Sequence, residues 1–267
     1  MRKITSLFVA FGVAASFAVA GDGEVCPGKG TDAKATPLAT ARKAFADAKK
    51  ADEALPEETR AELKTAREFL TQTSFGKSMG PAFEACGWLT IAASAQPGTS
   101  PEAAAILKDM GATYCTLAKV FGGCAGCECC EDSDECCKNC KADMSAEAVA
   151  AKAKESLDTA NKLLAAAKAD AEKMTPEQQE KIQAAYAVLS ENCPFMPAIQ
   201  GATTALTDAF GSLAKMGIPS TDAKNASRDG LVKAAIEMHG AMTSCSSCEE
   251  CDETEETEEA AAPAKSS

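Results

Sequence analysis

Three cysteines at C-x2-C-x2-C spacing, Cys124, Cys127 and Cys130, come back as Cys245, Cys248 and Cys251. Both sets run on into acids, Glu131-Asp132-Ser133-Asp134-Glu135 after the first and Asp252-Glu253-Thr254-Glu255-Glu256 after the second. Weaker matches precede each set in the same order. Leu55-Pro56-Glu57-Glu58 returns as Thr175-Pro176-Glu177-Gln178, and Thr99-Ser100-Pro101-Glu102 as Pro219-Ser220-Thr221-Asp222, both 120 positions later. Matches that keep order and register predict an internal duplication, so the fold must be one that a unit of this length can repeat.

Within each copy the apolar pattern is helical. Leu107, Met110, Tyr114, Leu117 and Phe121 stand three or four residues apart and form one stripe, as do Ile182, Ala185, Tyr186 and Leu189. Ser100 and Thr175 can accept a bond from an orphan backbone N–H. Pro101 and Pro176 then fill the first helical position, where a missing N–H costs nothing. Gln178, three residues after Thr175, completes a capping-box pattern. These signals place helices near 35–54, 57–73, 77–95 and 101–121, then near 145–174, 176–191, 196–216 and 221–242. No run in the mature chain alternates with period two. Aromatics make up only 5% of residues and alanine is abundant, which suits helices that approach one another closely. The expected fold is all-α: two tandem four-helix units, residues 35–121 and 145–243, packed as two bundles or as one eight-helix array.

What flanks the helices is different in kind. Residues 1–20 read as a signal peptide, with Arg2 and Lys3 before an uncharged apolar run and Ala18-Val19-Ala20 before a cleavage site at Gly21. The run is short for a spanning helix and lacks a stop-transfer flank, so a soluble mature chain, periplasmic or secreted, is expected. Residues 21–34 form an N-terminal segment, and 122–144 a Cys-rich, acidic, irregular linker. Residues 244–267 hold the second cysteine cluster and a tail with eight acids between Glu249 and Glu259, a density of like charge that predicts disorder. Without Arg2 and Lys3 the 27 basic residues fall to 25 against 39 acids. Such a chain offers no basic patch to phosphate backbones or anionic lipid, so nucleic acid and membrane are excluded as partners and metal ions are favoured.

Seven cysteines crowd into 124–140: Cys124, Cys127, Cys129, Cys130, Cys136, Cys137 and Cys140. A C-x2-C turn lets two thiolates reach one metal ion, so Cys124 with Cys127 and Cys137 with Cys140 can supply four sulfurs to one zinc. The other three suit the segment to a multimetal cluster or to soft Cu(I). This mixture of C-C, C-x-C and C-x2-C is similar to metallothionein sequences, a resemblance confined to the linker. Metallothioneins carry lysines between their cysteines; here Glu128, Glu131, Asp132, Asp134 and Glu135 intervene. Acids raise thiol pKa values yet welcome the cation that replaces the proton. The competing expectation is disulfide stapling, because an exported chain meets an oxidising compartment and its 14 cysteines are even in number. The C-x2-C-x2-C spacing also opens an iron–sulfur pattern, but the fourth cysteine at x3 is missing from both copies.

His239, the single histidine, precedes Cys245 by six residues and would complete a Cys3His set with Cys245, Cys248 and Cys251. It also shares a helical stripe with Val232, Ile236 and Met242, where a lone histidine is more often a partly buried helix residue than a ligand. Cys86 and Cys115 are expected as small core residues or, slightly favoured, as a bridge between the third and fourth helices. Cys26 and Cys193 would pair by elimination. No G-x-G-x-x-G, G-K-[ST], H-E-x-x-H or G-x-S-x-G motif occurs, and no βαβ context supports a thioredoxin-like use of the C-x2-C pairs. The sequence therefore predicts a non-enzymatic protein that binds zinc or Cu(I) through cysteine thiolates. Its alternative is a disulfide-stapled structural or interaction protein of the cell envelope.

Overall fold

The computed structural model describes residues 36–122, 145–221 and 223–243. The expected signal peptide, cysteine-rich linker and acidic tail lie outside them. The described residues form eight α-helices without a strand: α1 (Pro37–Glu53), α2 (Glu57–Gln72), α3 (Ser74–Ser94), α4 (Pro101–Val120), α5 (Ala146–Glu172), α6 (Pro176–Asn192), α7 (Phe195–Lys215) and α8 (Ala226–Thr243). None of these is long and apolar enough to cross a membrane.

The caps act where the chain carries them. Ser100 Oγ accepts from the Ala103 amide at 3.2 Å, and Thr175 with Gln178 closes a reciprocal capping box that starts α6. Thr36, Thr73 and Ser145 cap α1, α3 and α5 in the same way. The α8 start corrects the expectation. A 3-10 turn over Ala223–Asn225 precedes the helix, and the Ser220 hydroxyl is spent on Asp229 at 2.8 Å instead of on a cap. Helix α8 consequently begins five residues later than its repeat signal implies, at Ala226 and not at 221.

Six of the helices, α1, α3, α4, α5, α7 and α8, share one core, with buried residues drawn from both sides of the 123–144 gap. Helix α3 is central and packs against α4, α5, α8 and α2. It is buried on nearly every side because Gly80, Ala82, Ala85, Gly87, Ala92 and Ala93 let neighbouring backbones come close. At the α3–α4 crossing, a Cβ on Gly111 would lie 2.5 Å from Ile91 Cγ1, so that approach depends on glycine. Helix α5 meets α3 along Val149, Ala153, Ser156 and Ala160, a stripe of mostly small side chains. On the outer side, α2 and α6 make their own apolar seam of Ala66, Leu70, Ile182 and Ala185.

Polar links fix the register of this array. Arg42 on α1 bonds the Asp109 carboxylate at 2.5 Å, and its other terminal nitrogen reaches both the Asp109 carbonyl and Thr113 Oγ1 at 2.9 Å. Ser74 at the head of α3 donates to Asp170 at the end of α5. Arg67 on α2 holds Asp52 on α1 at 2.5 Å, touches Cys193 Sγ at 3.2 Å and stacks 5.5 Å above the Phe195 ring. Planar guanidinium groups suit such multiple contacts better than lysine would.

Candidate functional site

Two hydrogen bonds hold the start of α8 against the α3–α4 loop. Arg228 Nη1 donates to the Gly98 carbonyl at 3.3 Å, and Ser227 Oγ donates to Gln96 Oε1 at 3.0 Å. Helix α4 leaves the same loop at Pro101. Fourteen positions into each helix, the rings of Tyr114 on α4 and His239 on α8 meet edge to face, with centroids 5.9 Å apart. The two helices therefore start together and run in the same direction along α3, on which both pack. Their ends, Val120 and Thr243, reach the same pole of the molecule. The chain enters its two cysteine-rich segments from that pole.

Cys124, Cys127, Cys129, Cys130, Cys136, Cys137, Cys140, Cys245, Cys248 and Cys251 all lie outside the described residues. Among the described residues no three His, Cys, Asp or Glu side chains are grouped to hold a metal ion. His239 is enclosed, 5% exposed, between the rings of Tyr114 and Phe210, the latter with its centroid at 5.5 Å. Val232, Ala235, His239 and Met242 face inward on α8. Ile236, expected on that stripe, is among the exposed apolar residues instead.

The histidine's hydrogen bonding defines its state. Thr207 Oγ1 lies 3.0 Å from both the Thr203 carbonyl and His239 Nε2, and donating its one proton to the carbonyl leaves it to accept from Nε2. Nε2 then carries the proton, and Nδ1, which has no hydrogen-bond partner, carries the lone pair. Burial lowers the His239 pKa to about 4, so the ring is neutral at pH 7. Beside it, Tyr114 Oη is buried near the Cys86 thiol without a hydrogen bond of ordinary geometry. Burial raises the pKa of Cys86 and of Tyr114 well above their usual values. Cys86, Tyr114 and His239 thus make an uncharged interior cluster, unsuited to nucleophilic or acid–base work at neutral pH.

The favoured Cys86–Cys115 bridge is not formed. Cys86 Sγ turns toward α8, 3.8 Å from the Ala235 carbonyl, whereas Cys115 lies behind it against Gly87. The two sulfurs occupy different faces of the α3–α4 crossing. Cys193 is likewise a thiol, bonded by Arg67, and its supposed partner Cys26 lies outside the described residues. A groove of about 660 Å³ between α3 and α5 is lined by Lys77, Glu84, Lys152 and Glu155, whose opposite charges balance. It holds neither a cysteine nor a histidine.

Acid should act on this cluster in a defined window. The folded-state pKa of His239 lies below the value near 6.5 of a free imidazole, so the unfolded chain binds the extra proton between about pH 6.5 and 4. The neutral ring's contribution is present above that window and is lost as pH falls through it. Wild-type protein should lose about 2 kcal/mol between pH 7 and pH 5 from this group, and His239→Gln should lose much less. Urea midpoints measured across that range check it; parallel curves for the two proteins would remove His239 as the cause.

Neither the imidazole, phenol and thiol contacts nor the helix order could have been read from the motifs. The Tyr114–His239 meeting and the Cys86 orientation join helices far apart in the chain, and the only advance signal was the placement of each residue on an apolar stripe. No family model matches this chain, and no curated protein or solved structure matches it either.

Proposed function

We propose that this is an exported, non-enzymatic metal-binding protein, periplasmic or secreted, whose cysteine thiolates sequester or store zinc or Cu(I). The observation that carries this reading is the partition of its sulfur. Ten of the 14 cysteines stand at C-C, C-x-C and C-x2-C spacing in 124–140 and 245–251. By contrast, Cys86, Cys115 and Cys193 are buried singly among the helices. The linker cysteines, with Cys124, Cys127, Cys137 and Cys140 as first ligands, form the principal site. The intervening acids draw the cation in. Cys245, Cys248 and Cys251 form a second set entered from the same pole. His239 would have to leave its place between Tyr114 and Phe210 to join that set, so the cysteines carry the reading.

We also read the helical body as a duplication of one four-helix unit. The helix pairings support this because they are reciprocal. The first helix of each unit pairs with the third of the other (α1 with α7, α5 with α3). The third pairs with the fourth of the other (α3 with α8, α7 with α4), and the second helices pair with each other (α2 with α6).

The test is a thiol and metal count on the purified mature protein. After reduction, incubation with zinc or Cu(I) and removal of free metal, elemental analysis should find bound metal. Several thiols should react with an alkylating agent only after chelation. Replacing Cys124, Cys127, Cys137 and Cys140 with serine should weaken binding at least about tenfold and leave helicity unchanged. Ten or more cysteines blocked as disulfides in the protein as isolated, with no metal bound, would end this reading and establish the stapled alternative.

A further inference from the structure

We propose that residues 36–122 and 145–243 are mutual binding partners, two half-molecules that hold together without the peptide connection between them. The argument rests on helix pairing and is independent of the metal reading.

Every helix of the second half takes its main neighbour from the first. Helix α5 packs on α3, α6 on α2, α7 on α1 and α4, and α8 on α3. Among themselves, α5 to α8 meet only slightly; α7 and α8 touch through Thr207, Phe210 and His239. The second half accordingly has no core of its own. Val149, Ala153, Ala160, Ala202, Leu206 and Val232 are buried in an interior that α3 and α4 complete. Most helical stability in proteins comes from packing an amphipathic face, so α5 to α8 depend on those surfaces for their order. The first half differs. Its α3 packs on α4, α1 on α4, and α2 on α3, yet without α5 and α8 it would expose the apolar flanks of α3.

Polar contacts make the pairing specific. Arg67 bonds Cys193, Ser74 donates to Asp170, Ser227 to Gln96 and Arg228 to Gly98, each joining one half to the other. They set the register of an interface whose affinity comes from burial. With α5 on one flank of the central helix and α8 on another, neither half can slide away without stripping α3.

The experiment uses the full mature chain with a site-specific protease sequence inserted within 123–144. It is cleaved to completion under reducing conditions, so that no disulfide holds the pieces. The expected result is co-elution of both fragments at the size of the intact protein with helicity unchanged. Thermal unfolding of the cleaved protein should also become concentration-dependent, its midpoint falling on tenfold dilution, while that of the intact chain stays fixed. Elution as separate fragments, whether folded or not, overturns the proposal. So does a cleaved complex whose midpoint ignores dilution. Metal binding is read in neither measurement, so failure here and failure of the thiolate reading are distinguishable.

Discussion

Replacing Asp229 with alanine should destabilise the protein by about 3–5 kcal/mol, as expected when one partner of a buried ion pair is removed and its opposite charge is stranded. Arg228 and Asp229 are 5% and 3% exposed. Arg228 Nε and Nη2 reach the same Asp229 oxygen at 2.9 and 2.8 Å, and Ser220 Oγ donates to the other oxygen at 2.8 Å. Burial pushes the Asp229 pKa up, but the Ser220 and Arg228 hydrogen bonds outweigh it and hold the carboxyl below its usual range. Without the carboxylate, the guanidinium keeps, among the described residues, the Gly98 carbonyl at 3.3 Å. The double change Arg228→Met with Asp229→Leu strands no charge and should cost far less than Asp229→Ala alone. Urea unfolding of the three proteins decides it; a loss below about 1 kcal/mol for Asp229→Ala would show that the pair is hydrated and the argument mistaken. The same contacts seat the start of α8 on the α3–α4 loop, so the variant also tests what aligns α8 with α4.

The second large effect is expected at Gly76. Helices α2 and α3 are joined by Thr73 alone. That residue's hydroxyl donates to the Leu70 carbonyl at 2.6 Å while accepting from the Gly76 amide at 3.0 Å. In this reversal the backbone of α2 passes directly over Gly76. An added Cβ would lie 2.0 Å from Leu70 O, 2.8 Å from Leu70 C and 2.9 Å from Thr71 Cα. All three are backbone atoms, so no rotamer change relieves the overlap, and the chain reversal itself must open. Gly76→Ala should therefore cost roughly 3–5 kcal/mol, at the upper end of point substitutions. Gly201 on α7 is the matched control, since nothing lies within 4 Å of its added Cβ. There the change to alanine should stabilise the helix by up to about 1 kcal/mol. Equal midpoints for the two variants would mean that the α2–α3 turn adapts freely.

How much was readable in advance differs by level. Seven helix starts fall within three residues of their expected positions, and the two marked by a cap and a proline, Pro101 and Pro176, are met to the residue because those signals act through the backbone of the same segment. Of the stripe Leu107, Met110, Tyr114, Leu117 and Phe121, the first four are fully buried and Phe121, at the helix end, is partly buried. The α8 start was misplaced because Ser220, a capping residue by type, found Asp229 nine positions away. The Cys86–Cys115 bridge failed for a related reason: adjacency of two helices does not say which way each sulfur points. Arg228 and Asp229, neighbours in the chain, carry no local signal of burial, and they are enclosed where α8 meets the α3–α4 loop.

Local chemistry, written residue by residue, was enough to specify that the described residues are helical, where seven of the eight helices begin and which faces turn inward. Which helix lies against which was decided by the assembled interior alone. Apolar burial is non-directional, and many pairings satisfy the same stripes. The choice of α3 as the common axis for both halves came from how closely glycine and alanine let backbones approach, a property of surfaces in contact and of no single segment.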